Sequence, residues 1–258
     1  MFAKKSLGQN FLMHRQTAER IVGAARLPEG ATVLEIGPGT GMLTKALLAD
    51  GLKVIAVEAD DTLAETLTET FAEEIRATRL NLVHADIRNF DTVTLPADYH
   101  LVANIPYYIT GEIIRTFLTA INKPKSMTLL VQKEVAERIA REKKGSLLSL
   151  SVKAYGSPEY CFTVPRGAFK PAPNVDSAVL HIAHIHSPFA SDREETRFFE
   201  VLRAGFAHKR KRLVGNLSEL APKDVIKGVF ESISLDMNAR AEDVALETWK
   251  DLTRKLEN

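Results

Sequence analysis

The sequence predicts an α/β protein whose sheet is mostly parallel, followed by a small all-helical C-terminal part. From residue 32 to about residue 131, short apolar runs alternate with segments in which apolar residues recur at helical spacing. This alternation is typical of parallel strands joined by helices that cover both faces of the sheet. After residue 192 only helical spacing remains, and 258 residues suffice for one large core plus a small appendage.

The predicted elements follow one another in a regular order. Strands are expected at the apolar runs 31–37, 52–60, 80–86, 99–104 and 126–132. Helices are expected between and after them, at 42–51, 62–75, 112–121 and 134–141. Two late strands, at 159–165 and 176–185, are joined by the proline-rich turn FKPAPN. Late strands of this kind are often antiparallel additions to a parallel sheet.

A turn-rich break, HSPFASD at 186–192, separates this region from the helical C-terminal part. Beyond the break, helices are expected at 193–207, 213–220, 222–230 and 241–256. We therefore predict two domains, residues 1–187 with the sheet and residues 188–258 with four short helices.

Composition excludes several classes of protein. Cys161 is the only cysteine, so no internal disulfide is possible, and no apolar run approaches the ~18 residues of a membrane span. The N-terminus lacks the apolar core of a signal peptide, and we expect a cytoplasmic protein. The net charge is only +1, but residues 58–98 hold ten acidic and three basic side chains, and residues 123–170 hold ten basic and four acidic ones. This separation suggests a basic face, with a chance fluctuation of charge as the alternative.

A glycine-rich loop, EIGPGTG at 35–41, connects the first predicted strand with the first predicted helix. Glycines at such a turn let the backbone approach a ligand closely. The dinucleotide fingerprint would require glycine in place of Met42, and the Gly-Lys-Ser/Thr of a phosphate loop is absent. Since residues 31–43 contain no lysine or arginine, a ligand without phosphates fits the loop better.

Polar residues stand at the ends of the next three predicted strands. Glu58 ends the second strand, and its carboxylate can accept two hydrogen bonds from ribose hydroxyls. Asp86 ends the third strand, where a carboxylate can accept a hydrogen bond from an adenine amine, and Asn104 ends the fourth. Ligands of open α/β sheets bind at these carboxyl ends, so the strand ends predict one site that starts at Gly37. Any one of these residues could be a polar strand end or a helix cap, but four in succession favour a ligand.

These features suit S-adenosylmethionine, which combines an adenosine, an amino acid and a sulfonium and carries no phosphate. The E-x-G-x-G-x-G loop followed by an acid at the second strand resembles class I methyltransferases. That resemblance implies a Rossmann-like fold with a mostly parallel seven-stranded sheet and an antiparallel late strand. We find no convincing set of metal ligands and expect no metal in the reaction.

The fourth strand runs into Asn104-Ile105-Pro106-Tyr107, an unusual end for a core strand. An aromatic exocyclic amine is a poor nucleophile because its lone pair is delocalised into the ring, and acceptors aimed at its N–H groups can free that lone pair. The Asn104 side-chain oxygen is one such acceptor. The Ile105 carbonyl is a second, because Pro106 biases the preceding residue toward an extended conformation. Tyr107 offers a face on which a base can stack, although a polar turn with packed tyrosines is the alternative.

The NIPY segment is a variant of the N/D/S-P-P-Y/F motif of amino-group methyltransferases, and the whole chain resembles a narrower family, the ribosomal RNA adenine N6-dimethyltransferases. KSLGQNFL at 5–12 resembles that family's N-terminal cofactor segment. FKPAPNVDSAV at 169–179 resembles its late F-x-P-x-P-x-V-D-S-A-V motif, and RAE at 240–242 resembles part of its C-terminal domain. Tyr108 departs from the asparagine that is common after this motif in relatives.

The resemblance implies a site, a substrate and a partner. Phe169 should stack on a flipped adenine opposite Tyr107. The substrate should be two adjacent adenines in a hairpin near the 3′ end of small-subunit RNA, within the immature small subunit, and the protein should act as a monomer that needs no membrane. The cofactor S-adenosylmethionine should be contacted by Asn10, Leu12, Gly37, Gly39, Glu58, Asp86 and Asn104.

A local basic cluster is the candidate for RNA binding. It comprises Arg203, Lys209, Arg210, Lys211 and Arg212, with no acidic residue between them. Residues 187–258 hold thirteen basic and thirteen acidic side chains, so the cluster is a patch and not part of a basic domain. Phosphate contacts from such residues position RNA without reading its sequence. The alternative is a solvated helix end, where cations complement the helix dipole.

Two rival functions stay open. An erythromycin-resistance methyltransferase of large-subunit (23S) RNA shares the NxPY site, although Gly8 before Gln9 and the VDSAV stretch point away from it. A non-catalytic ribosome assembly factor with the same fold is the other rival, and the intact Glu58, Asn104 and Tyr107 argue against lost catalysis.

Overall fold

The structure, a computed structural model, describes residues 9–256. The strands in this range are β1 (Phe11–Leu12), β2 (Thr32–Ile36), β3 (Lys53–Glu58), β4 (Leu80–His84), β5 (His100–Asn104), β6 (Met127–Gln132), β7 (Ser157–Val164), β8 (Phe169–Lys170) and β9 (Ser177–Ala183). The helices are α1 (Arg15–Ala25), α2 (Met42–Ala49), α3 (Asp61–Thr70), α4 (Ala72–Arg76), α5 (Thr110–Thr119), α6 (Lys133–Ala140), α7 (Leu147–Tyr155), α8 (Asp192–Gly205), α9 (Leu213–Leu217), α10 (Lys223–Ser232) and α11 (Leu246–Lys255).

Seven of these strands form one sheet in the order β4-β3-β2-β5-β6-β9-β7. The first five strands in this order, β4, β3, β2, β5 and β6, pair in parallel. Strand β9 runs antiparallel to both of its neighbours, β6 and β7. The Rossmann-like fold class predicted from the sequence, including its antiparallel late strand, is therefore confirmed. β3 lies on one side of β2 and β5 on the other, so the chain changes direction across the sheet between them.

The central strands are apolar because both of their faces are covered. Alternate residues of β2 and β5 enter different apolar clusters: Leu34 and Leu101 pack on one face of the sheet, whereas Val33 and Val102 pack on the other. Successive strand side chains point to opposite faces, so a strand buried on both sides reads as a continuous apolar run. The burial explains why these strands were recognisable in the sequence.

Several elements differ from the prediction. Helices α1 and α7 were not predicted, and α7 buries side chains around most of its circumference, so its sequence lacks an amphipathic pattern. The helix expected at 62–75 is broken at Phe71 into α3 and α4. The proline-rich turn before β9 contains β8, which pairs with β1 in a second, two-stranded sheet.

The C-terminal helices pack against the end of α7. The Tyr155 ring stacks on Phe199 of α8 at a centroid distance of 6.1 Å, and it meets Phe189 edge to face at 5.7 Å. The Tyr155 hydroxyl donates to the Glu195 carboxylate. The apolar cluster on one face of the sheet continues into α8, α9, α10 and α11. The division of the chain after residue 187 stays a prediction. In residues 9–256 no helix is long and apolar enough to span a membrane.

Candidate active site

The carboxyl ends of β2, β3, β4 and β5 lie side by side because these strands are neighbours in the sheet. A cleft opens there, beside the change of direction between β3 and β5, where open α/β sheets bind ligands. The empty space within it, counted together with the open solvent at its mouth, is about 1040 Å³. Its lining includes all the predicted cofactor-binding residues: Asn10, Leu12, Gly37, Gly39, Glu58, Asp86 and Asn104.

The glycines of the 35–41 loop serve two purposes. Gly37, Gly39 and Gly41 all have positive φ, a conformation that favours glycine. A Cβ on Gly39 would lie 2.9 Å from the Phe11 ring, and one on Gly41 would lie 2.6 Å from the Phe71 ring, so packing forbids side chains at both positions. A Cβ on Gly37 would meet no protein atom within 4 Å. Gly37 thus leaves open space at the cleft, which a ligand can approach.

Glu58 is buried at the end of β3, and backbone donors hold its carboxylate. Its Oε2 accepts from the Gly39 N–H at 3.0 Å, and its Oε1 accepts from the Asp60 N–H at 2.9 Å. Asp60 in turn caps α3 by accepting from the Thr62 and Leu63 N–H groups. Since a carboxylate oxygen has two acceptor positions, each Glu58 oxygen can still accept one hydrogen bond from a ligand.

Asp86 shares its carboxylate with a residue that was not predicted, Arg88. The Arg88 guanidinium donates to both carboxylate oxygens, with Nη2 2.5 Å from Oδ2, and the Arg88 backbone N–H donates to Oδ1. The Arg88 hydrogen bonds hold the pKa of Asp86 below its usual range. Both side chains line the cleft, and the contact of Asp86 with an adenine amine stays a prediction.

Glu35, the first residue of the loop motif, lines the cleft floor as a buried carboxyl group. Its Oε2 has no hydrogen-bond partner among the described residues. Burial raises the pKa of Glu35 to about 8, and the neighbouring Glu58 charge adds to the increase. At neutral pH the carboxyl group is therefore largely protonated and can act as a hydrogen-bond donor.

The amide of Asn104 is oriented by the N-terminal segment. Its Nδ2 donates to the Asn10 carbonyl oxygen at 2.9 Å, across 94 positions of sequence. This hydrogen bond uses a donor of the amide, so Oδ1 is left as an acceptor for a ligand in the cleft. The role of Asn104 as an acceptor for a substrate amine stays a prediction.

The segment after Asn104 is held by a short 3-10 turn at Tyr107–Ile109. The turn closes with the Ile109 N–H donating to the Pro106 carbonyl at 3.1 Å, so the Ile105 carbonyl is not used by it. The Tyr107 hydroxyl lies 2.6 Å from the Ser177 hydroxyl at the start of β9. Burial raises the pKa of Tyr107, which keeps the phenol neutral. Ile105, Pro106 and Tyr107 all line the cleft.

Phe169 occupies a different position from the other predicted catalytic residues. It is buried in β8, opposite Leu12 of β1, and packs in the apolar cluster on the α1 side of the sheet. Its ring is absent from the cleft lining that the described residues form. Stacking of Phe169 on an adenine stays a prediction.

The basic cluster lies at the end of α8 and in the loop before α9, and none of its residues is part of the cleft lining. All five of its side chains are exposed, and within residues 9–256 none forms an ion pair closer than 4.0 Å. Asn216 of α9 stabilises the loop, because its buried Nδ2 donates to the Gly205 and His208 carbonyls at 2.6 and 3.1 Å. RNA binding by this cluster stays a prediction.

Some residues of the site were missed, and one predicted segment cannot be placed. Gln9 lines the cleft and donates to Asp60 at 3.4 Å, while KSLG at 5–8 lies outside the described residues. Ser177 could have been found from the sequence, because it belongs to the V-D-S-A-V motif. Arg88 could not, because no motif includes it. Within the range 9–256, no group of three or more His, Cys, Asp or Glu side chains is arranged to hold a metal ion.

Comparison with known sequences decides the family. The model of a family described as ribosomal RNA adenine dimethylase matches residues 2–258. The chain belongs to this family. A relative named ribosomal RNA small subunit methyltransferase A from Dehalococcoides mccartyi is 41% identical, over 97% of this chain and 87% of the relative. A protein of the same name from Geobacillus is 36% identical, over 99% of this chain and 92% of the relative.

Solved structures agree with the assignment to the rRNA adenine dimethylase family. A dimethyladenosine transferase from Plasmodium falciparum superposes with a TM-score of 0.79 at 25% identity, covering 94% of this chain and 95% of that one. The 23S rRNA methyltransferase ErmE superposes with a TM-score of 0.76 at 27% identity, covering 96% of this chain and all of that one. The family resemblance inferred from the sequence motifs is confirmed.

Proposed function

We propose that the protein transfers methyl groups from S-adenosylmethionine to N6 of two adjacent adenosines in the 3′-terminal hairpin of small-subunit (16S) ribosomal RNA. We place the reaction on the immature small subunit in the cytoplasm, with the protein acting as a monomer. The observation that carries the proposal is the orientation of the Asn104 amide, whose Nδ2 is bound to the Asn10 carbonyl. The names of the curated relatives support the choice of the small subunit.

The residues of the cleft fit the cofactor. Gly37 lacks a side chain where the cleft needs room, and Glu58 keeps acceptor capacity for ribose hydroxyls. Residues 31–43, which include the glycine-rich loop, contain no lysine or arginine, and this suits a methyl donor without phosphates. The protonated Glu35 carboxyl adds no negative charge beneath the loop. When bound, S-adenosylmethionine supplies an electrophilic methyl group on its sulfonium.

The acceptors at the end of β5 would activate the adenine amine. Asn104 Oδ1 and the Ile105 carbonyl can each accept one N–H of the amine, which favours a pyramidal nitrogen with a localised lone pair. After the first transfer one N–H remains, so one acceptor still has a donor to bind during the second. Positioning of this kind, together with preorganised dipoles, supplies most of the rate in such a reaction.

The target base has to leave its stack to reach these acceptors, because N6 is not accessible in line with a methyl donor inside a helix. Tyr107 is suited to receive it, since its ring is held in place through the Ser177 hydroxyl. The unpaired cations of the basic cluster would hold phosphates of the hairpin and leave the base free to enter the cleft.

The direct test is mass spectrometry of ribosomal RNA after incubation with the protein and labelled S-adenosylmethionine. Immature small subunits and large subunits that lack the modification are assayed in parallel. We expect two dimethyladenosines in the small-subunit RNA and none in the large-subunit RNA. Light scattering of the protein in solution tests the proposed monomer.

The second candidate is methylation of 23S RNA, which the similarity to ErmE favours. Labelled dimethyladenosine in large-subunit RNA alone would support it. A non-catalytic assembly factor would bind S-adenosylmethionine in calorimetry and yield no methylated nucleotide on either particle.

A further inference from the structure

Tyr108, next to the predicted catalytic tyrosine, is an exposed aromatic residue on the rim of the cleft. Its side chain is 62% exposed, and it is the only exposed aromatic side chain in residues 9–256. A single exposed apolar side chain is common on protein surfaces, but the place of Tyr108 on the rim of a binding cleft makes its ring accessible to a molecule bound there.

The two consecutive tyrosines have different surroundings. Tyr107 is half-buried and held through its hydroxyl by Ser177. Tyr108 makes no hydrogen bond, ion pair or ring contact with the rest of the described chain. Its backbone is nevertheless fixed, because it is the middle residue of the 3-10 turn and is followed by the buried Ile109 and Thr110. Tyr108 is thus a largely exposed ring on a fixed backbone, and no aromatic ring among the described residues stacks on it.

The electrostatic surroundings of Tyr108 suit a nucleotide. The Arg88 guanidinium and the Tyr108 ring both line the cleft, and the Arg88 hydrogen bonds to Asp86 hold the guanidinium in place. Arg88 is about half exposed and can contact a phosphate or a ring face. An aromatic platform beside a cation is the arrangement with which proteins hold single-stranded nucleic acid.

We propose that Tyr108 stacks on the nucleotide next to the adenine that occupies the cleft. The inference rests on the proposed function and deepens it: with two adjacent adenines as substrate, one base would enter beside Tyr107 while the other lies on Tyr108. The protein would then select a purine beside the target, because a purine offers the larger stacking face. Stacking on an aromatic side chain changes affinity by about 5- to 150-fold per base.

The test compares Tyr108→Ala, Tyr108→Phe and, as a control, Val93→Ala, in full-length protein with a hairpin RNA containing the two adenines. Val93 is a matched control because it is also 62% exposed and lies on a different 3-10 turn, outside the cleft lining. We expect Tyr108→Ala to raise KM for the hairpin about 10-fold and to leave the Kd for S-adenosylmethionine unchanged. Tyr108→Phe and Val93→Ala should retain the wild-type KM.

A spectroscopic readout separates stacking from a general loss of structure. In two versions of the hairpin, one or the other adenine is replaced by 2-aminopurine, whose fluorescence is quenched when it stacks. Wild-type protein and Tyr108→Phe should quench the probe that lies on Tyr108, and Tyr108→Ala should lose that quenching. A probe that enters the cleft beside Tyr107 should respond alike in all three proteins. An unchanged KM and unchanged quenching in Tyr108→Ala overturn the stacking inference alone. Wild-type protein that leaves both adenines of immature small subunits unmethylated overturns the proposed function as well.

Discussion

The cleft at the strand ends and the basic cluster after α8 use polar groups in opposite ways. In the cleft, Glu58 is buried and each of its oxygens is held by a backbone N–H, and Glu35 is buried and largely protonated. In the basic cluster, five cations are exposed and form no ion pair with described residues. The cleft is therefore preorganised for one small ligand, whereas the cluster is suited to a large polyanion that it holds without fixed geometry.

This difference predicts that single substitutions in the cleft have large effects and that the cluster responds only to combined charge removal. It also predicts which quantity changes: the rate and cofactor affinity in the cleft, and the salt dependence of RNA affinity at the cluster.

The largest effect is expected for Asn104→Ala. The substitution removes the acceptor for the adenine amine, and loss of one preorganised group of this kind costs on the order of 10²–10³-fold in kcat. Circular dichroism should show an unchanged fold. Asn81→Ala, an exposed asparagine on β4, is the control and should keep full activity. Methyl incorporation within a few-fold of wild type in Asn104→Ala would remove Asn104 from the mechanism.

The second prediction concerns the pH dependence of stability. In the folded protein the pKa of Glu35 is about 8, against 4.5 without burial, so between these values the folded state binds a proton that the unfolded state has released. This contribution to the free energy of unfolding therefore falls as pH rises from 4.5 to 8, by at most about 1.4 kcal/mol per pH unit.

Glu35→Gln should remove this slope because glutamine does not titrate. Urea denaturation of the ligand-free protein at pH 5, 6.5 and 8 should show the variant gaining stability relative to wild type as the pH rises. Glu65→Gln, on the exposed side of α3, is the control and should follow the wild-type curve. Parallel curves for wild type and Glu35→Gln would contradict a buried, protonated Glu35.

The third prediction concerns the support of the basic cluster. A Cβ on Gly205 would lie 2.2 Å from the buried Trp249 ring, so Gly205→Ala must shift α8 or α11. Overpacking of this kind costs about 1–3 kcal/mol. Gly215→Ala is the matched control, since a Cβ there meets no atom within 4 Å. Thermal unfolding should show a lower Tm for the Gly205 variant only.

The smallest effect per residue is expected for the basic cluster itself. Replacing Lys209, Arg210, Lys211 and Arg212 by glutamine should weaken RNA binding and reduce the slope of log Kd against log salt by about 0.7–0.9 for each lost phosphate contact. The Kd for S-adenosylmethionine should not change. Replacing Lys223 and Lys227 of α10 by glutamine is the control. An unchanged salt slope in the fourfold variant would assign these cations to a solvated helix end.

Much of the fold and many residues of the cleft lining could be predicted because the relevant signals are local. Strands buried on both faces read as apolar runs, and polar residues at Glu58, Asp86 and Asn104 mark where those runs stop. Helix α7 was missed because it is buried on most sides and so lacks periodicity. The substrate half was harder, because Phe169 belongs to a motif whose position relative to the cleft depends on the pairing of β8 with β1.

The sequence alone determined the seven strands of the main sheet, the glycine loop and the family, since each depends on neighbouring residues or on the spacing of short motifs. The tertiary structure decided the orientation of the Asn104 amide by Asn10, the protonation of Glu35 and the exposure of Tyr108. These properties depend on residues far apart in the chain and on how completely water is excluded, and folding alone establishes both.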